Sequence, residues 1–460
     1  MATATTSSAG APRSRRVLSL WDLIFYGIVL IQPIAPVPLY GVAQKLSDGH
    51  FVTIIFIAMF AMLITAVSYG RMAALYPSAG SAYTYVGRGL NPHLGFLAGW
   101  AMFLDYLLQP LINTVWISTA LHERYLQRVP FVVWAAIIAG IFTLLNLRGI
   151  RASARANKIL LFFMFIVVGF FFYLAVRYLL ASQGMGGLFS TLPLYDPKTF
   201  NPQRVLTATS FAALTYIGFD GVTTLAEDVE NPKRNVLLAT VLTCLFAGVI
   251  SALESYLGAR VWPDWHTFPN LETAFMDICS RVGGVILFNA MGLILIVAAF
   301  GSGLTGSLGA SKLLFGMGRD NVLPRRIFGH LSPGSNTPTY NVLIIGFLSF
   351  IGAVLLNSIG NAYQHAGELL NFGAFLAFMG VNFAAFWQFA VVTRPGYKRR
   401  VMVDAVLPLI GFFFCGLIWW NLNHVAKTVG LIWFAVGFIY VAVKTRGFRA
   451  APVMIDFSDS

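Results

Sequence analysis

Apolar residues run along this chain in stretches separated by short segments rich in charged residues, proline or glycine. A helix of roughly 20 apolar residues crosses about 30 Å of hydrocarbon, so each stretch is long enough to span a bilayer. The pattern predicts an all-α membrane protein with about twelve transmembrane helices. The predicted spans are 18–43, 51–75, 95–121, 131–147, 157–181, 204–228, 235–259, 283–315, 339–357, 366–392, 404–422 and 428–444.

The first and the sixth predicted spans contain residues that interrupt helices. Three prolines lie in the middle of LIFYGIVLIQPIAPVPLYGVA, where each removes a backbone donor and clashes with the preceding turn. In span six, LTYIGFDGVTTLAED has a glycine on each side of Asp220. Irregular backbone at membrane depth is tolerated only where it is buried in protein or lines a cavity.

Two interruptions five spans apart are the pattern of two inverted five-span repeats. In such folds the half-helix ends and free carbonyls form a substrate site near the midplane. The alternative is two unrelated kinks that serve packing. The prediction divides the chain into a cytoplasmic tail (1–16), a ten-span transport core (17–392, with repeats at about 17–181 and 204–392), two peripheral spans (404–444) and a second cytoplasmic tail (445–460).

Composition agrees with a membrane protein and excludes several other classes. The chain is 57% hydrophobic and only 11% charged, with a mean hydropathy of +0.74, whereas soluble domains carry about 25% charged residues. The net charge of +13 sits in short clusters between spans, which argues against nucleic acid. The three cysteines show no metal-binding spacing, so no metal or cofactor is expected. No GxxxxGK[ST] motif and no nucleophile–base set stands out, so neither an ATPase nor another enzyme is predicted.

The basic residues also predict an orientation. With the N-terminus in the cytoplasm, the tails and the even-numbered connections hold about 22 of the 31 lysines and arginines, as the positive-inside rule requires. We therefore expect a multi-pass protein of the cytoplasmic (inner) membrane with both termini in the cytoplasm, in contact with the lipid bilayer.

Several stretches match a known family. They are KLSDGH, AVSYGRMAALYPSAGSAYTYVGRGLNPHLGFLAGW, LDYLLQPLIN, NLRGIRASARAN, YIGFDGVTTLAEDVENPKRN, KLLFGMGRDNVLP and LLNFGAFLAF. The chain thereby resembles the amino acid–polyamine–organocation (APC) permeases, and within them the bacterial putrescine-importer-like branch. The resemblance implies a LeuT-type fold and a secondary active transporter that imports amino acids or polyamines by alternating access. A small amine or amino acid is then the partner, and no cofactor is implied.

Two positions depart from the family pattern. The first-span bend reads QPIAPVP and has no glycine to expose amides to an α-carboxylate, which leaves room for an amine without a carboxylate. Some proton-coupled relatives carry a lysine in span five, but the matching position here is near Met164, and Lys158 lies a turn or two earlier. A lysine-gated proton mechanism is therefore not supported.

Asp220 is the first candidate for function. A carboxylate near the bilayer centre costs a few kcal/mol at least, and such residues mark functional sites. It could pair with a substrate ammonium or carry a proton. The alternative is a capping role, with its carboxylate accepting the amides of Thr223 or Thr224.

Further candidates surround the two interruptions. Free carbonyls and aromatic faces suit an ammonium group through hydrogen bonds and cation–π contacts, and Phe219 is the expected lid over the site. Membrane-facing bulk or interhelical hydrogen bonding is the alternative for any one of them. The predicted substrate-binding residues are Gln32, Pro33, Ile34, Ala35, Tyr106, Tyr216, Gly218, Phe219, Asp220 and Phe372.

A second set of polar residues is predicted to serve coupling or gating. H+ is the preferred coupling ion, with Asp220 or Glu227 as carrier, while hydroxyls of span eight could complete a sodium site. Glu254 and Glu368 are placed near external span ends, where a carboxylate is usually solvated. The coupling and gating candidates are Asp105, Asp220, Glu227, Ser302 and Thr305.

Three other functions stay open at this point. The chain could be an amine or amino acid exchanger, or a sodium-coupled symporter of the same fold. It could also be a nutrient sensor, although its tails are short for a signalling role. A channel is disfavoured because no span has a continuous polar face.

Overall fold

The computed structural model describes residues 18–77, 80–148, 154–226, 229–319, 323–332, 337–392 and 396–450. The described chain is built of α-helices joined by short turns, and it contains no β-strand, which confirms the predicted all-α class. The helices are α1 (Leu20–Ile31), α2 (Tyr40–Leu46), α3 (Phe51–Leu75), α4 (Ser81–Gly89), α5 (Pro92–Ala120), α6 (Phe131–Leu147), α7 (Ala154–Gln183), α8 (Pro202–Ala212), α9 (Pro232–Val261), α10 (Ala274–Arg319), α11 (Arg325–Phe328), α12 (Thr339–Ile359), α13 (Ala362–Phe386), α14 (Leu407–Trp420) and α15 (His424–Lys444).

Ten helical segments of the described chain are long and apolar enough to cross a membrane. Two more apolar helices, α1 and α6, are shorter. The chain is therefore a multi-pass membrane protein, and the count of twelve spans stays a prediction. Large apolar side chains are exposed on its outer surface, among them Phe162, Phe347 and Phe413, as expected of a face that meets lipid.

The first predicted span contains two helices with a non-helical segment between them. The side chain of Ser19 caps α1, with Asp22 completing a capping box. The helix ends at Gln32, whose φ of 68° lies in the left-handed region. Turns follow, closed by hydrogen bonds such as that from the Ala35 N–H to the Gln32 carbonyl (3.1 Å), until α2 begins at Tyr40.

The sixth predicted span changes its helical type midway. The α-helical part, α8, ends at Ala212, and 3-10 turns follow over Ala213–Tyr216 and Phe219–Leu225. Gly218 separates the two turns with a φ of 112°, a conformation open to glycine at little cost. Assigning both interruptions to membrane-crossing segments stays a prediction.

Helix α10 is longer than the predicted eighth span because it includes an outer piece. Its backbone leaves helical geometry at Gly284 (φ 62°), which separates a short helix before that residue from the long one after it. The stretch VWPDWHTFPN between α9 and α10 forms one 3-10 turn at Trp265–Thr267.

An ion pair joins α3 to the chain before α14. The guanidinium of Arg71 contacts the carboxylate of Asp404, which also accepts hydrogen bonds from the Tyr397 hydroxyl (2.8 Å) and the Arg400 N–H (2.6 Å). Asp404 is 1% exposed and Arg71 13% exposed. The guanidinium also lies 3.8 Å from the ring centre of Phe389.

The start of α1 is joined to the chain that follows the sixth predicted span. Leu18 pairs with Val229 in an isolated parallel bridge, and the N–H of Glu230 donates to the carbonyl of Leu18 (3.0 Å). The two interrupted segments are thus linked by backbone at the same end of the molecule.

Candidate functional site

A cavity of about 300 Å³ lies between the two interrupted segments. This volume is at the small end of the range for ligand sites. Helices α1, α5, α7 and α10 and the turns around Gly218 form its walls. It is lined by Tyr26, Val29, Leu30, Gln32, Asp105, Tyr106, Gln109, Leu160, Leu161, Met164, Ile217, Gly218, Asp220, Gly221, Ala298, Gly301, Ser302, Thr305, Gly306 and Gly309.

The charged groups in this lining are both acidic. Asp105 from α5 and Asp220 from the second 3-10 turn of span six are 8% and 4% exposed. No Lys, Arg or His lies among the described lining residues. The cavity therefore offers negative charge and apolar surface, which suits an organic cation.

The turn geometry explains how Asp220 is held. Its carboxylate meets the backbone N–H groups of Gly218 and Gly221, and its own carbonyl accepts the hydroxyl of Thr223 (2.6 Å). The Asp220 carboxylate is thus bound by amides closer to it in the chain than those of Thr223 and Thr224, which a capping role would have used. Since amides stabilise a carboxylate, this turn can hold Asp220 at the cavity wall.

Tyr106 lies beside Asp105 on α5 and also lines the cavity. A Cβ added at Gly309 of α10 would lie 3.4 Å from its ring, so the missing side chain at Gly309 leaves room for the tyrosine. Asp105 and Tyr106, which are adjacent on α5, thus line the same cavity. Tyr26 supplies a second tyrosine from α1.

A smaller cavity of about 100 Å³ adjoins the first. The two share Leu30, Gln32, Gln109, Ile217 and Ser302 in their linings. The smaller cavity extends towards the ends where α5 finishes and α13 begins. Its other lining residues are Ile31, Ile34, Ala35, Pro38, Ile112, Asn113, Trp116, Leu214, Leu295, Ala299, Tyr363 and Leu370.

A polar partition separates the two cavities. The side-chain amide of Gln109 donates to the hydroxyl of Ser302 (2.8 Å), and that of Asn113 donates to the same oxygen (3.3 Å). The amide of Gln32 donates to the Ala298 carbonyl across the interface with α10 (3.1 Å). Three amides therefore tie α1 and α5 to α10 at one level.

Most of the predicted site residues meet at these cavities. Gln32, Gly218, Asp220, Asp105, Tyr106, Ser302 and Thr305 line the larger one, and Ile34 and Ala35 line the smaller one. Met164, at the position matched to a lysine in some relatives, also lines the larger cavity.

Other predicted residues lie behind the cavity walls. The Tyr216 hydroxyl donates to the Ile55 carbonyl (2.8 Å), and the Phe219 ring packs between Tyr69 and Phe378. Phe372 packs against Trp419, with 5.2 Å between the ring centres, and its ring also lies against Gly430 of α15. Pro33 is buried and lines neither cavity. Glu227 lies outside the described residues.

Gln109 is the functional candidate that the sequence analysis missed. It lines both cavities and takes part in the partition. A signal was present, because LDYLLQPLIN places an amide directly before Pro110 in an otherwise apolar run. Proline frees the carbonyl a turn earlier from helix bonding, so a polar neighbour is expected at such a kink.

The two glutamates expected to be solvated are instead buried. Glu254 on α9 is 0% exposed, and Glu368 on α13 is 1% exposed. Glu368 accepts hydrogen bonds from the Gln364 amide (2.9 Å) and the Asn423 N–H (2.6 Å). The prediction failed because each residue lies about two turns inside its helix end, on the face that packs inward.

Glu272 lies just before α10, outside the spanning segments. Burial raises the pKa of this carboxyl, Glu123 raises it further, and a hydrogen bond with Thr119 opposes the shift. Tyr363 of the smaller cavity lies within electrostatic range of Glu272. The carboxyl of Glu272 therefore lies near the smaller cavity.

Comparisons with known proteins identify the family of this chain. The sequence matches the amino acid permease family over residues 18–445. It is 30% identical over 439 residues to the low-affinity putrescine importer PlaP of Escherichia coli (strain K12), covering 95% of each chain. It is 24% identical over 482 residues to the branched-chain amino acid permease BcaP of Bacillus subtilis (strain 168), covering 96% of this chain and 95% of that one.

One solved structure shows the same fold. A mutant manganese transporter of Eremococcus coleocola superposes with a TM-score of 0.58 at 12% identity, covering 94% of this chain and 96% of that chain. This likeness supports the LeuT-like fold.

Proposed function

Since the chain belongs to the amino acid permease family, we propose that it is a secondary active transporter that imports polyamines or amino acids, with small organic cations preferred. The observation that carries the preference is the cavity lined by Asp105 and Asp220 without a described basic residue. A cation in that cavity can be neutralised by an aspartate carboxylate, whereas the carboxylate of an amino acid has no basic partner among the described lining residues.

The groups around Asp220 fit an ammonium group. The carboxylate accepts its hydrogen bonds, and the rings of Tyr26 and Tyr106 line the same cavity. Tyrosine faces attract ammonium groups by roughly 0.5–2 kcal/mol, depending on how dry the site is. Similarity to a putrescine importer agrees with this choice, and similarity to a branched-chain amino acid permease keeps neutral amino acids as the second candidate.

We propose that transport proceeds by alternating access. The two cavities lie on either side of the partition of Gln32, Gln109 and Ser302. The larger cavity extends towards the ends where α1 and α7 begin, and the basic clusters of the sequence assign those ends to the cytoplasm. The conformation is then inward-facing, with both chain termini in the cytoplasm.

We propose an inward proton gradient as the driving force. Asp105 and Asp220 are buried carboxyls in the cavity that can take up protons as well as substrate. The hydroxyls of Ser302 and Thr305 line the same space and are the candidates for a sodium site instead. Exchange of an internal for an external amine is the remaining alternative.

The test is uptake by purified protein in proteoliposomes. Labelled putrescine, arginine, alanine and glutamate are compared with and without an imposed inward proton gradient, and with a sodium gradient in a parallel series. We expect gradient-driven accumulation of putrescine or arginine and a loss of at least tenfold in Asp220→Asn. Asp264→Asn is the matched control, because Asp264 is exposed and lies outside both cavities.

Two results would contradict the proposal. Accumulation of alanine or glutamate in preference to the cations would show that the QPIAPVP bend does hold a carboxylate. Uptake that follows only the sodium gradient would assign the coupling to sodium.

A further inference from the structure

Glu254 is a fully buried carboxyl that the proposed cavity does not use. It lies on α9 and is 0% exposed. Neither carboxylate oxygen has a hydrogen-bond partner among the residues that the structure describes. It differs in this from Glu368, whose two oxygens are both hydrogen-bonded.

The surroundings supply no countercharge within the described chain. Three arginines at this end of the molecule bind elsewhere: Arg260 donates to the Gly187 carbonyl, Arg281 to the Val261 carbonyl, and Arg204 pairs with Asp48. Cys279 of α10 is the titratable side chain near enough to respond to the charge of Glu254. A thiol is a weak donor and cannot replace a cation.

A carboxylate in this position would be far less stable than a carboxylic acid. Burying an unpaired charge costs so much that the group neutralises instead. Protonation removes the charge and leaves a polar group that a buried site tolerates much better. The geometry therefore assigns a proton to Glu254 in this conformation.

The same face of α9 touches the outer half of the first interrupted segment. Gly258 lies four residues after Glu254 and hence one turn along the same face. A Cβ added at Gly258 would lie 3.0 Å from the ring of Tyr40, the first residue of α2. The Tyr40 ring in turn packs against Phe275 of α10 (5.2 Å between centres). The first residue of α2 thus lies against α9 one helical turn from Glu254.

We propose that Glu254 is a proton-binding site that must be occupied before α2 closes against α9. With α2 withdrawn, water reaches the carboxyl, which exchanges its proton with the external solution. With α2 closed, an ionised Glu254 would be buried without a partner, so closure requires the acid form. This inference rests on the proposed function for its place in a proton-driven cycle, while the protonated state rests on the geometry alone.

Two measurements without substrate test the proposal, so its failure is separate from a failure of the transport assignment. The first is infrared spectroscopy of the purified protein in H2O and D2O at neutral pH. We expect a deuterium-sensitive carbonyl band of a protonated carboxyl that is absent in Glu254→Gln and in Glu254→Met. Glu368→Gln is the matched control and should keep this band, because Glu254 is intact in it.

The second measurement reports closure. Ala35→Cys places a thiol in the smaller cavity, and the native cysteines described by the structure are all buried. We expect its alkylation rate, divided by the rate in the same protein carrying Glu254→Gln, to rise severalfold as external pH increases. The ratio corrects for ionisation of the introduced thiol itself, and Glu254→Met serves as denominator if the glutamine variant unfolds.

Either of two outcomes overturns the proposal. An infrared band that persists unchanged in both Glu254 variants would mean that Glu254 is not protonated. A loss of the band together with a constant alkylation ratio would mean that the proton has a structural role only.

Discussion

At the scale of single residues, the partly buried polar groups between the two cavities matter most. Ser302 is the acceptor for two amides, from Gln109 and Asn113, at the level where the cavities meet. An amide that loses its partner in a buried site keeps the cost of having left water, about 1–3 kcal/mol. The partition is therefore sensitive to a single hydroxyl.

Replacing this hydroxyl should weaken both the fold and the closure between the cavities. In Ser302→Ala we expect a loss of about 1 kcal/mol in stability, because the Gln109 amide loses its acceptor while the Asn113 amide keeps the Gln109 carbonyl. Thermal unfolding in detergent measures it. Ser349→Ala is the control, since the Ser349 hydroxyl is buried but bonds only to the Ile345 carbonyl of its own helix. Equal shifts in the two variants would contradict a special role for Ser302.

Glu272 predicts a pH-dependent effect on stability. Its pKa is raised in the folded protein, chiefly by burial, so the carboxylate disfavours the fold above that pKa, and no penalty exists below the ordinary glutamate pKa. We expect Glu272→Gln to raise Tm at about pH 8 and to leave it unchanged at about pH 4. Scanning calorimetry at both values measures this. A Glu272→Gln variant less stable than the original protein at the higher pH would show that the folded protein favours the Glu272 carboxylate.

Sequence reasoning found the acidic residues of the cavity but misjudged others. Asp105 and Asp220 stand out because charge is rare in apolar spans. Gln109 carries no charge and was passed over. The burial of Glu254 depends on which face of α9 turns inward, and that face is set by packing partners that no single helix reveals.

At the scale of elements, Gly218 controls the geometry around Asp220. Its φ of 112° separates the two 3-10 turns of the sixth predicted span, and Leu30 of α1 packs within 3.4 Å of its missing Cβ. A side chain here meets an unfavourable backbone conformation, which costs about 1–2 kcal/mol. Asp220 and the wall formed by Leu30 would shift together.

Two glycine-to-alanine variants test this role. We expect Gly218→Ala to lower stability by about 1–2 kcal/mol and to reduce amine uptake per folded molecule. Gly169→Ala is the control, because Gly169 lies within α7 with nothing near its missing Cβ, and alanine there should be neutral or stabilising. Thermal unfolding and proteoliposome uptake measure the two effects. Full uptake in Gly218→Ala would show that the turn tolerates a side chain.

The apolar stretches predicted the positions of the long helices, but they did not predict every bend within them. Prolines marked where α1 ends, and Gly218 marked the junction between the two 3-10 turns that follow α8. The bend of α10 at Gly284 was not predicted, although Gly283 and Gly284 form a glycine pair, which is a turn signal, at the start of the predicted eighth span. The short α4 also went unrecognised, because SAYTYVGRG carries no long apolar run.

At the scale of the whole molecule, the buried pair of Arg71 and Asp404 holds the predicted peripheral spans against the core. Removing one partner leaves the other buried without its countercharge. In Asp404→Asn we expect a loss of about 3 kcal/mol in stability while the uptake rate per folded molecule is kept. Thermal unfolding and uptake normalised to folded protein measure these effects. A loss of uptake with unchanged stability would instead connect this pair to transport.

The fold class was predicted from the sequence, and the family resemblance implied the arrangement of helices, whereas the apolar pattern alone did not give it. Apolar length gives helices, and residue motifs give a family, but the meeting of α1, α5, α7 and α10 around one cavity depends on contacts between residues far apart in the chain. The structure with 12% identity and the same fold shows how little of that arrangement lies in residue identity.

The bridge between Leu18 and Val229 has a consequence for biosynthesis. A chain leaves the ribosome from its N-terminus, so Leu18 emerges long before Val229 and the Glu230 N–H that bind it. The start of the first helix therefore waits for its backbone partner until the sixth predicted span has been made. The segment that begins with α1 therefore enters the membrane before Leu18 has its backbone partner, and the pairing forms only after residues 229 and 230 have been made.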